Sequence, residues 1–149
     1  MNAARLVHEL GVIIWIGGMF FANFALRPSL ATLDPPQRLP LLMSVFTRFF
    51  SWAGAAIVAV VGSGIAMVVL LGGMSRVGTA VHVMIALGAV MIVIYGALVA
   101  GPYVRLRKAL DRGNFPAAGQ AVGRIRSWVA VNLALGLAIV AVAVLGHRG

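Results

Sequence analysis

Apolar residues run through this chain in four long blocks, at about residues 6–26, 52–72, 79–101 and 128–145, separated by short stretches where arginine, proline and glycine gather. Each block is close to the roughly 20 residues that a helix needs to cross the hydrocarbon core of a bilayer. None alternates with the period of two that a membrane barrel strand requires. In lipid every backbone N–H and C=O needs a partner within the protein, so unbroken blocks of this length predict transmembrane helices. The expected fold is all-α, a four-transmembrane-helix bundle that makes one domain of residues 1–149. The first block follows Arg5 as the core of a signal peptide follows its basic start, but it is longer than the usual core of about 7–15 residues and no small-x-small cleavage site follows it. It is expected to remain as a helix.

The connections carry their own patterns. Asp34-Pro35-Pro36 joins an N-cap residue to prolines suited to a first helical turn. Leu39, Leu42, Val45, Phe46 and Phe49 then recur at helical spacing beside Arg38 and Arg48, which predicts an amphipathic lead-in at the interface that continues into the second span. Residues 103–112 extend the third span into water, Gly113-Asn114 makes a turn, and Pro116 begins the last helix, which passes through Arg124 and Arg126.

Composition agrees with the pattern and narrows the chemistry. With 62% hydrophobic residues, 10% charged residues and a mean hydropathy of +1.03, the chain has too little polar surface for a water-soluble globule. It has no cysteine, so disulfides, thiolate metal sites and cysteine nucleophiles are excluded together, and any metal must use His, Met or oxygen. A net charge of +9 would suggest nucleic acid in a soluble protein. Here the basic residues lie between apolar blocks, where they read as topology signals and anionic-lipid contacts, and no nucleic-acid partner is expected. Nine of the twelve Lys and Arg residues fall in the first and third connections, against Arg5, Arg76 and Arg148 on the other side. The positive-inside rule therefore predicts both termini outside the cytoplasm. No phosphate loop, HExxH motif or serine triad is present, which disfavours nucleotide chemistry and hydrolysis. A membrane oxidoreductase or electron-transfer role stays open.

Three histidines, His8, His82 and His147, are predicted at the same face of the membrane. His8 and His82 each lie about one turn inside the start of a span, on helices that run in the same direction, so the two imidazoles are expected at one depth. Ionisable groups inside a membrane are costly and tend to be functional, which makes this pair a candidate metal or cofactor site. Met67 in the second span reaches the same level, while His147 is expected to be a solvated tail. Gly11, Val12, Trp15 and Met19 share the His8 stripe, and Ala86, Ala89, Val93 and Gly96 share that of His82. Small residues beside a histidine permit close helix packing, and equally leave room for a flat macrocycle. Arg5 and Arg76, at the same boundary, are candidates to pair haem propionates, although Arg5 can also pair with Glu9 four residues on. Asn23, Ser63 and Asn132 read as interhelical hydrogen bonders, and Gly62-Ser63-Gly64 as a packing signal.

Taken together, the run from Leu6 to Met19 (LVHELGVIIWIGGM), Arg48-Phe-Phe-Ser-Trp52, Gly62-Ser-Gly64, Val81-His-Val-Met84, Arg124-Ile-Arg126 and Asn132 resemble the copper-resistance protein D (CopD)-like membrane proteins over nearly the whole chain. The resemblance implies a bacterial inner-membrane protein, with His8 and His82 matching the family's recurring histidines. A more distant likeness is to the membrane-bound, haem-containing protoporphyrinogen oxidases, whose pattern has a lysine two residues after the third-helix histidine. Met84 stands there in this chain, which puts that activity in doubt.

Two functional expectations follow. In one, a b-type haem bound by His8 and His82, flanked by Arg5, Arg76 and Trp15, passes electrons to or from quinone or a periplasmic redox partner. In the other, His8, His82 and Met67 bind copper for transport or resistance, as the family name implies, since imidazole and thioether suit that metal. The inner halves of the first and third spans offer few ligands beyond Met19 and Met91, and that thinness favours a fixed site with haem first. A metal-free structural subunit, alone or as a homo-oligomer in the lipid bilayer, is the third reading.

Overall fold

The structure is a computed structural model that describes residues 1–146, and His147 lies outside the described residues. Six α-helices follow one another: α1 (Asn2–Phe21), α2 (Arg27–Leu30), α3 (Pro35–Leu70), α4 (Thr79–Ala100), α5 (Pro102–Asp111) and α6 (Phe115–Leu145). A π-helical segment, Ala22–Leu26, joins α1 to α2, and a 3₁₀ turn, Met74–Arg76, precedes α4. Among the described residues there is no strand, and four helical stretches are long and apolar enough to cross a membrane. The chain is a multi-pass membrane protein.

Each boundary has a local cause. Pro28 cannot donate to the helix ladder and crowds the preceding turn. The chain answers with a π-bulge in which the Arg27 N–H reaches the Ala22 carbonyl, so the first helical stretch continues to Leu30 rather than stopping at Arg27-Pro28. The lead-in and second span are one unbroken 36-residue helix, α3, with Pro35 and Pro36 in its first turn. It ends in a glycine cap: Gly73 N–H bonds to the Val68 carbonyl and Gly72 N–H to that of Val69, with Gly72 at φ 95°. Gly113, at φ 66°, ends α5 in the same way. Asn114 then caps α6, its side-chain oxygen accepting from Ala117 N–H at 3.0 Å.

The helices associate as two pairs. α1 packs along α3, and α4 and α5 pack along α6, while α6 also touches α1 and α3 and so joins the halves. Within the first pair, Gly11 lies against Val60 and Gly18 against Phe49, so α1 and α3 run antiparallel. A Cβ on Gly11 would stand 2.7 Å from Val60 Cγ2 and 3.1 Å from the Ala56 carbonyl oxygen, so the backbones are as close as glycine permits. Gly136 of α6 receives Ile16 of α1 and Met91 of α4 over its bare Cα, which brings three helices together at mid-span.

At the other end the halves are joined by aromatic rings. Tyr95 donates to the Phe50 carbonyl at 2.7 Å, reaching it over Gly54, where a Cβ would meet the hydroxyl at 2.8 Å. Phe50 packs edge-on against both Tyr95 and Tyr103, and the Tyr103 hydroxyl lies 2.8 Å from Thr47 Oγ1. The segment after the third span therefore does not simply extend into water. Gly101 bends the chain, and α5 folds onto α6 with Leu106 and Ala109 buried. Asn132 is also buried, but its Oδ1 has no hydrogen-bond partner, so it does not bridge helices through that atom as its sequence position suggested.

The glycine contacts give a direct comparison. Gly11→Ala is expected to destabilise the protein by about 1–3 kcal/mol through overpacking. Gly17→Ala, whose Cβ would enter open space within α1, should leave stability unchanged or raise it by up to about 1 kcal/mol, since alanine favours the helix. Thermal unfolding in one detergent measures both, and equal midpoints would contradict the α1–α3 packing.

Candidate functional site

His8 sits on the stripe of α1 that faces α3, where Gly11, Trp15 and Met19 are buried below it. Its ring is half-buried, and Nδ1 lies 3.0 Å from the Val60 carbonyl oxygen and 3.2 Å from Ser63 Oγ. A carbonyl only accepts, so the contact requires a proton on Nδ1, and of the two neutral tautomers it selects the one in which Nδ1–H donates to Val60. Ser63 spends its own hydroxyl proton on the Ala59 and Val60 carbonyls, at 2.5 and 3.1 Å, and can offer only lone pairs to His8. Gly64 completes the seat, since a Cβ there would come within 3.5 Å of His8 Cε1. The result is an imidazole fixed by its Nδ1–H, with the Nε2 lone pair left for another partner. Metal-ligating histidines are usually held in this way.

Met67 is on the same helix as this seat, one turn beyond Ser63 and Gly64 and just before α3 ends. The helical repeat places it on the Ser63 side of α3, where α1 packs. The structure thus brings the elements carrying His8 and Met67 together.

His82 is at the same depth on a different surface. Thirteen residues separate it from Tyr95 on α4, and thirteen separate Ser63 from Phe50 on α3, and Tyr95 bonds to Phe50. His82 and Ser63 are therefore level along the antiparallel helices. The face is the difference: His82 is exposed and its Nδ1 lies 3.2 Å from the Gly78 carbonyl of its own helix. Ala86, Ala89, Val93 and Gly96, on the same stripe, are exposed too. α4 packs on α6 with the opposite face, through Met91, Ile94 and Leu98, because these larger side chains fill that interface. No hydrogen bond joins His8 to His82, and α1 and α4 share no extended interface.

The remaining candidates are placed as follows. Arg5 pairs with Glu9 at 2.8 Å on the exposed side of α1, one turn apart. Arg76 is exposed in the 3₁₀ turn, and Trp15 is packed in the core beneath His8. Two cavities, of about 400 and 480 Å³, lie along α6 near Arg124 and Trp128, and neither is lined by His8 or His82. Among the described residues no group of three or more His, Asp or Glu side chains gathers as a metal cage.

Sequence reasoning missed the Val60 carbonyl; it read Ser63 as an interhelical hydrogen bonder without naming His8 as its partner, and Gly62 and Gly64 as packing signals. The available signal was periodic: Ala53, Ala56, Val60 and Ser63 recur at helical spacing along α3, opposite the His8 stripe.

Four membrane-crossing helices with an imidazole locked into the seam between the first two define a small polytopic bundle with a candidate ligand at one end. The chain belongs to the copper resistance protein D family, whose model matches residues 43–145, more than half of its length. The matched part runs from within α3 to the end of α6 and so includes Ser63, Met67 and His82, with His8 before it. No curated protein and no solved structure matches the chain.

The tautomer can be read directly. With ¹⁵N-labelled histidine, the neutral His8 ring is expected to give a protonated Nδ1 and an unprotonated Nε2. The reverse assignment would contradict the bond to Val60.

Proposed function

We propose that this chain is a copper-handling protein of the bacterial inner membrane, and that His8 Nε2 and Met67 Sδ hold the ion between α1 and α3. The observation that carries this reading is the donation of His8 Nδ1–H to the Val60 carbonyl, which leaves Nε2 as the available donor. Membership of the copper resistance protein D family supports the metal. Imidazole with thioether is a donor set that favours copper, above all Cu(I), over harder divalent ions. A chain without cysteine has no softer ligand to offer.

The distribution of Lys and Arg supports an orientation with both termini outside the cytoplasm, so the His8 end would meet copper on that side. Copper supplies a soft cation that His8 and Met67 take from water at the membrane boundary. The protein contributes a fixed imidazole, a flexible thioether one turn away, and a seam narrow enough to restrict access. His82 is level with this site on the outward face of α4 and is not required by it. A haem bridged by His8 and His82 would need both Nε2 atoms at one iron, whereas His8 sits in the α1–α3 seam, His82 is on the exposed face of α4, and α1 and α4 share no extended interface.

Anaerobic Cu(I) titration of the detergent-purified protein against a chromogenic chelator tests the proposal. About one copper per chain is expected, with affinity lowered on the order of tenfold or more by His8→Ala and by Met67→Leu, and unchanged by His82→Ala. Wild-type affinity in His8→Ala would contradict it. So would a purified protein with a Soret band that both His8→Ala and His82→Ala abolish, which would put haem in place of copper.

A further inference from the structure

The groove between α4 and α6 at the basic end is independent of the copper proposal and has chemistry of its own. Its walls are apolar along Val93, Ala97 and Leu98 of α4, and it opens sideways where Val93 is 71% exposed. Its mouth is cationic. Arg105 of α5 and Arg124 of α6 line the same cavity of about 400 Å³, with Trp128 one turn further into the span. Gly101 breaks the helix between α4 and α5, and α5 packs in turn along α6, so Arg105 and Arg124 line the same cavity. On the basic side of Trp128 the cavity adjoins a second, more polar one of about 480 Å³, which shares Arg124 and Trp128 and adds Gln120, Arg126 and Ser127.

Neither the Arg105 nor the Arg124 guanidinium has a hydrogen bond or an ion pair with the protein, and among the described residues the one ion pair is Arg5–Glu9, on α1. The chain has only three acidic residues, so it cannot neutralise this end itself. A paired cationic mouth over an apolar slot, with an interfacial tryptophan between, is complementary to an amphiphile with an anionic head and a hydrocarbon tail.

We propose that this groove is a binding site for an anionic glycerophospholipid of the phosphatidylglycerol type. The phosphate sits between the Arg105 and Arg124 guanidiniums, one acyl chain lies along Val93, Ala97 and Leu98, and the glycerol headgroup extends over Trp128 into the polar cavity. Guanidiniums suit the phosphate because their planar donors can each make two hydrogen bonds to it. The bound lipid would fasten α5 to α6 from outside the bundle.

Native mass spectrometry of the detergent-purified protein, with phosphatidylglycerol or phosphatidylcholine added at equal concentration, tests this. One retained phosphatidylglycerol is expected, with about a tenfold preference over phosphatidylcholine. The preference should vanish in the Arg105→Gln/Arg124→Gln double variant and persist in Arg27→Gln/Arg38→Gln, which removes the same charge outside the groove. Phosphatidylglycerol carrying brominated acyl chains should quench Trp128 fluorescence in the Trp15→Phe/Trp52→Phe background. Equal retention of the two lipids, or a preference that survives the double variant, would overturn the proposal. So would displacement of the lipid by millimolar inorganic phosphate, which would make the mouth a simple anion site.

Discussion

Within a bilayer, lipid tails are as apolar as leucine, so two helices gain little from the hydrophobic effect by leaving lipid for each other. What holds α1 to α3 is close approach, and close approach depends on missing side chains. Gly11 admits Val60 and the Ala56 carbonyl, Gly18 admits the Phe49 ring, and Gly64 leaves room for the His8 imidazole. At that separation dispersion contacts accumulate along the seam. The same closeness lets a side chain on α1 hydrogen-bond to the backbone of α3, and the seat of His8 is thus a consequence of the packing.

Carbonyl sharing recurs at the other end of the bundle. Tyr95 crosses to the Phe50 carbonyl over Gly54 as His8 crosses to Val60 beside Gly64, so each half of α3 offers a helical carbonyl to a neighbour at a glycine. Helix α3 is the element that both ends share. Its length of 36 residues lets it meet His8 near one end and the Tyr95 and Tyr103 rings nearer the other. The two ends differ in charge and in kind: a fixed imidazole with a thioether at one, unpaired arginines over an apolar groove at the other.

The four spans were legible because lipid imposes a length and an unbroken apolar run, and both are written in the sequence. The continuous lead-in into α3 and the turn at Gly113-Asn114 were legible from proline, N-cap and glycine placement. Depth was legible as well, since residue counts along antiparallel helices place His82 and Ser63 at one level. Azimuth was not legible for α4. Its hydrophobicity is nearly uniform around the helix, and the stripe that packs on α6 is distinguished by side-chain size, with Met91, Ile94 and Leu98 inside and His82 with its small neighbours outside. For α1, Gly11, Trp15 and Met19 marked the buried face, and His8 was read onto it. The packing of α5 along α6 was not legible either, because the basic residues of this segment read as a solvated extension while Leu106 and Ala109 are buried.

In the proposed copper site, packing at the α1–α3 seam presents His8 Nε2 to the ion, with Met67 beside it. X-ray absorption at the copper edge of the Cu(I)-loaded full-length protein addresses it most directly. One imidazole and one sulfur neighbour per copper are predicted, with the imidazole signature lost in His8→Ala and the sulfur lost in Met67→Leu. A spectrum with no imidazole contribution, or one that His8→Ala leaves unaltered, would contradict the account.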